Sequence, residues 1–110
     1  MKVKQKRAFS LEAFLRSTGA RKKVVIYHPT DMIFSQGDVA DSVLYIQEGV
    51  VKLSVLSHGG KEAVVAMLGP GDFFGERALA GHPVRLEAAT AVTATTALIV
   101  PKRQMIRLLH

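Results

Sequence analysis

From Lys23 onward the chain alternates short runs rich in β-branched and aromatic residues with clusters of turn-forming residues. The runs read KVVIYH, DMIF, SVLYIQ, VVKLSVL, EAVVAML, DFFG, RLEAATAVTA and TALIV. Between them stand Pro29-Thr30-Asp31, Gln36-Gly37-Asp38, Glu48-Gly49, His58-Gly59-Gly60 and Gly69-Pro70-Gly71-Asp72. β-branched side chains suit a pleated surface, while Gly, Pro and Asp set the dihedrals of tight turns, so the pattern predicts about eight strands. The separators are too short for the helical crossovers that parallel strands need. The predicted fold class is mainly β: an antiparallel double-stranded β-helix, or jelly-roll, with short flanking helices. Ser10 caps one such helix, with Leu11, Phe14 and Leu15 on one face and Gly19 as its stop. Pro101 opens the other, followed by Met105, Ile106, Leu108 and Leu109 at helical spacing. That pattern is still running at His110, which predicts that the polypeptide is a fragment or continues into a longer helical region.

Composition narrows the class. With 110 residues, 48% of them hydrophobic, the chain suits one core. The expected organisation is a basic tail over residues 1–8 and one β-roll domain over residues 9–110. No apolar run approaches the ~18–20 residues that cross a bilayer, and the basic start leads into an amphipathic segment instead of a secretory core, which predicts a soluble cytoplasmic protein without a membrane partner. The absence of cysteine excludes disulfides, thiolate nucleophiles and cysteine-ligated clusters. The net charge of +6 is unevenly placed. Residues 1–23 hold eight basic residues against Glu12, whereas residues 24–101 hold eight acids against Lys52, Lys61, Arg77 and Arg85. The basic residues lack interleaved aromatics and read as solvated flanks, so no DNA binding is expected from this segment.

No catalytic constellation emerges, and the expectation is a protein that is not an enzyme. GPGDFFG departs from the dinucleotide spacing G-x-G-x-x-G, and no Gly-Lys-Ser/Thr follows any glycine-rich loop. His28, His58, His82 and His110 are scattered, which argues against a metal site. No G-x-S-x-G elbow is present.

Anion binding has better support, in the stretch GDFFGERALAGHPVR. Residues Glu76 to Ala80 fit one helical turn between Gly75 and Gly81, and a first turn presents unpaired N–H groups. Arg85 offers a planar fork suited to phosphate oxygens. Glu76 would repel a phosphate but accept from a sugar hydroxyl. One residue for a sugar and one for a phosphate describe a nucleotide. The same residues also permit a Glu76–Arg85 salt bridge around a tight corner, and the stretch alone leaves both readings open.

The segment IFSQGDVADSVLYIQEGVVKLSV resembles the cyclic-nucleotide-binding domain, specifically the version in Crp/Fnr transcription regulators. The matching positions are Ile33-Phe34, Gly37-Asp38, Ala40, Val43 to Ile46 and Gly49. The family's phosphate-binding cassette matches FGERAL, five spacers, Arg85 and then Ala91, and the resemblance covers residues 9–110. It implies a β-roll flanked by short helices, with Gly37, Gly49 and Gly71 in its turns. It also implies a small-molecule effector, a cyclic nucleotide such as cAMP or cGMP. Glu76 would accept from the ribose 2′-hydroxyl, Gly75 would let the backbone approach the sugar, and Arg85 would grip the cyclic phosphate with the N–H groups of Ala78 and Leu79. DNA would be bound only through a C-terminal domain lying beyond this chain, in a homodimer. Alternatives to this favoured reading are a domain attached to a kinase, channel or transporter, which the motif does not exclude, and a degenerate roll serving as a protein-interaction platform. Two positions depart from the pattern. Leu86 stands in the candidate site where the family has a small or hydroxyl residue, and Glu87 follows it. A strand's two-residue period would put Glu87 on Arg85's face, beside the phosphate or paired with the arginine. Arg77, where the family has an apolar or small residue, is expected to point to solvent.

Overall fold

The computed structural model describes the backbone of residues 23–109 and the side chains of residues 23–106. The helix expected after Ser10, the basic tail and the side chains of Leu108 and Leu109 lie outside that range. Among the described residues eight strands form: β1 (Lys23–Tyr27), β2 (Met32–Phe34), β3 (Ser42–Glu48), β4 (Val51–Leu56), β5 (Glu62–Leu68), β6 (Phe73–Phe74), β7 (Ala88–Ala91) and β8 (Thr95–Pro101). A 3-10 turn spans Glu76–Ala80, and helix α1 spans Lys102–Leu109. Pro101 pairs with Ser42 as the last residue of β8, so α1 begins one residue later than expected.

The turns explain why the strands end where they do. Asp31, Asp38 and Asp72 each accept a hydrogen bond from the backbone N–H three residues earlier, on His28, Ser35 and Gly69, at 2.8, 2.8 and 2.9 Å. An aspartate carboxylate is short enough to close such a turn on its own chain, which makes these separators local devices. Gly37, Gly49 and Gly71 occupy turns with φ of 93°, 98° and 91°.

The strands pair antiparallel into two four-stranded sheets, ordered β1-β8-β3-β6 and β2-β7-β4-β5. Between them lies a core of Leu44, Ile46, Val51, Leu53, Phe74 and Ala89, joined by Phe34 and Ile99 among others. Phe34 and Phe74 meet with ring centroids 5.9 Å apart. The uninterrupted run Val43–Ile46 is buried on both faces of β3. Leu44 and Ile46 face the intersheet core, whereas Val43 packs with Val100 and with Met105 of α1. A strand covered on both sides reads as a continuous apolar run, and here α1 supplies the second cover. β5 lies at a sheet edge and is largely exposed, with Lys52 of β4 paired to its Glu62 at 3.1 Å. The Lys52 ammonium holds the Glu62 carboxyl below the usual range. Among the described residues no helix is long and apolar enough to cross a membrane.

Candidate ligand-binding site

Arg85 organises the site. The residue is only 6% exposed, and three protein acceptors hold its side chain. Nη1 donates to the Gly75 carbonyl at 3.1 Å, and Nη2 donates to the Ser42 carbonyl at 2.8 Å and to Ser42 Oγ at 3.1 Å. The guanidinium carbon stands 4.4 Å from the centroid of the Phe34 ring, in cation–π range. Burial pulls the guanidinium below the usual arginine range, and the negative charges of Asp41 and Asp38 oppose that shift. Arg85 Nε is buried and has no hydrogen-bond partner among the described residues. A buried donor left unpaired costs about 1–3 kcal/mol.

The backbone fixes Arg85 from the other side. Its N–H donates to Asp38 O at 2.7 Å, its carbonyl accepts from Gly37 N at 2.8 Å, and Val84 bridges Val39. These bonds run to the loop before β3 and keep residues 84–87 out of the sheet, so β7 begins only at Ala88 and not at Arg85 as the apolar run predicts. Leu86 and Glu87 form a bend. The two-residue period therefore does not apply to Arg85 and Glu87, and the expectation of a shared strand face is corrected.

Gly75 sits opposite with φ 77°, as N-cap of the 3-10 turn. A Cβ built there would stand 2.6 Å from Arg85 Nη1 and 3.3 Å from Ser42 O, so only glycine leaves the guanidinium its seat. The Ala78 N–H donates to Gly75 O at 3.2 Å, so the same carbonyl receives both the turn and the arginine. Leu79 turns away and packs against Val43, Val100 and Met105.

Around the arginine opens a cleft of about 280 Å³, its solvent-open mouth included, lined by Phe34, Ala40, Gly75, Glu76, Arg77, Ala78, Val84, Arg85, Leu86 and Glu87. Of the residues expected from the sequence, Gly75, Glu76, Ala78, Arg85 and Leu86 meet there, while Leu79 lies behind the wall. Arg77 is exposed, yet it also lines the cleft, so its charge bears on the site as well as on solvent. Neither a Glu76–Arg85 nor a Glu87–Arg85 ion pair forms among the described residues, because the guanidinium is engaged by Gly75 and Ser42. Phe34, Ser42, Asp38 and Asp41 escaped the sequence reading as parts of the site. Ser42 lies 43 positions from Arg85, and no local motif announces such a contact.

A family model described as the cyclic nucleotide-binding domain matches residues 24–110. The chain belongs to that family. This cyclic nucleotide-binding domain is 33% identical over 85 residues to the cyclic AMP receptor protein of Thermus thermophilus, covering 77% of this chain and 39% of that one. It is 34% identical over 82 residues to the nitrogen fixation regulation protein FixK of Rhizobium meliloti, covering 74% and 37%. Among solved structures, the N-terminal domain of a transcriptional regulator from Streptomyces coelicolor superposes with a TM-score of 0.76 at 30% identity, covering 89% of this chain and 68% of that one. The domain is thus similar to domains found in regulators such as these, and its two antiparallel sheets match the jelly-roll fold of the solved relative. The chain spans well under half the length of the two curated relatives.

Proposed function

We propose that this domain is the non-enzymatic sensor of a Crp/Fnr-type transcription regulator and binds a cyclic nucleotide in the Arg85 cleft. Arg85 contacts the cyclic phosphate, Glu76 accepts from a sugar hydroxyl, and Gly75, Ala78 and Leu86 shape the wall. Leu79 holds the 3-10 turn to the helix behind it. The observation that carries this reading is the buried guanidinium of Arg85, with one N–H unpaired, lining a cleft beside Glu76. In the whole protein, DNA recognition and dimerisation belong to segments following this chain.

Calorimetric titration of the 110-residue chain with cAMP and cGMP tests the proposal. Binding heat and a raised melting temperature are expected, because a ligand at a hundred times its Kd stabilises by about 2.7 kcal/mol. Neither heat nor a thermal shift with either nucleotide, in the wild type and in a Glu87→Gln variant alike, would overturn the reading.

Signal leaves the site through Leu79. It sits on the 3-10 turn and packs with Met105 of α1, so a ligand that moves the turn acts on the helix by direct contact. Differential affinity for two helix positions is all that coupling requires. Leu79→Ala is expected to cost about 1–2 kcal/mol of stability, since the side chain is only half-buried. It should leave Kd within a few-fold while erasing the nucleotide-dependent change in hydrogen exchange along α1. A change in exchange equal to that of the wild type would show that coupling runs elsewhere.

A further inference from the structure

Glu87 is a half-buried carboxylate in the cleft wall, and among the described residues it makes neither an ion pair nor a hydrogen bond. The cation two residues before it, Arg85, is not available to it. Two of Arg85's nitrogens are bound to Gly75 and Ser42, and the guanidinium is pinned over Phe34. The charged side chains lining the cleft are Glu76, Arg77, Arg85 and Glu87, two of each sign, and Asp38 and Asp41 act on Arg85 from the neighbouring loop. The formal charges of the cleft lining therefore sum to zero, although a guanidinium lies at the cleft wall.

We propose that Glu87 is a specificity-determining residue that opposes the phosphate of an entering nucleotide and sets a high concentration threshold for occupancy. The inference rests on the cyclic-nucleotide reading of the cleft. Glu76 cannot take this role, because its carboxylate is the acceptor that a sugar hydroxyl needs. Glu87 has no such use: it stands two residues after the phosphate-binding arginine, in a bend that keeps it out of β7 and at the cleft wall. A carboxylate and a phosphate a few ångströms apart repel by enough to weaken binding by about ten- to a hundredfold at an intermediate dielectric.

The test compares cAMP and cGMP titrations of the 110-residue wild type with Glu87→Gln, Glu87→Asp and Arg85→Ala, each checked for folding by thermal melting. Glu87→Gln is expected to tighten Kd about tenfold or more, and Glu87→Asp, which keeps the charge, to stay near the wild type. The ratio between wild type and Glu87→Gln should shrink as salt rises from about 0.05 to 0.5 M, because exposed charges are screened within a shorter Debye length; a purely steric effect of Glu87 would leave that ratio constant. Binding detectable only in Glu87→Gln also supports the proposal. Equal or weaker binding by Glu87→Gln, with Arg85→Ala still abolishing it, overturns the role of Glu87 and leaves the nucleotide site standing. No binding of either nucleotide by wild type or by Glu87→Gln overturns the site itself.

Discussion

Arg85→Ala is expected to abolish cyclic-nucleotide binding and to lower the stability of the ligand-free domain by about 3 kcal/mol, read from urea unfolding. Both effects have one cause. The guanidinium binds the Ser42 carbonyl, the Ser42 hydroxyl and the Gly75 carbonyl, and covers the Phe34 ring. Alanine leaves two backbone carbonyls without this partner and opens a space beneath the cleft, and hydrogen bonds to charged groups are worth more than neutral ones. Loss of the unpaired Nε returns part of the cost, which keeps the estimate near the lower end for a buried cation. Arg85→Lys should recover part of the stability and little of the binding, since an ammonium lacks the fork that spans Gly75 and Ser42. A ligand-free Arg85→Ala domain as stable as the wild type would show that these contacts carry no weight in the fold.

Gly49→Ala should be the most damaging single methyl group in the roll, costing about 3–5 kcal/mol. Gly49 turns β3 into β4 with φ 98°, where an L side chain is strained. A Cβ there would also collide with Ala94 O and Thr95 Oγ1 and stand 2.6 Å from Thr95 Cα. These atoms cannot step aside. Thr95 is 1% exposed, and its hydroxyl donates to Thr93 O at 2.9 Å. Domains of this size are stable by about 5–15 kcal/mol, so the variant should lose most of its unfolding midpoint in urea. Gly37→Ala, where a Cβ meets nothing within 4 Å, should show only the smaller backbone penalty and serves as the comparison.

Part of the candidate site was legible because it is written in adjacent residues. Gly75, Glu76, Ala78 and Arg85 fall in one short stretch, and one turn and one loop suffice to gather them. The period-two argument for Glu87 failed for a reason no local pattern contains. Arg85 bonds by its backbone to Gly37 and Asp38, and that contact holds residues 85–87 off the strand they resemble. The guanidinium's bonds to Gly75 and Ser42 engage it instead, and among the described residues neither glutamate pairs with it. Thr30 makes a similar point: a β-branched residue at φ 73°, held there while its N–H donates to Ala91 O at 2.8 Å.

By itself the sequence determined the strands and turns, since β-branched runs, turn glycines and self-closing aspartates act within a few residues of one another. It also determined the family, through motifs whose spacing is local. Only the tertiary structure decided what else Arg85 touches, because Ser42 and Phe34 reach it across long stretches of chain. The same is true of Glu87: a charge pair is a property of distance in space, and that distance was set by the loop before β3.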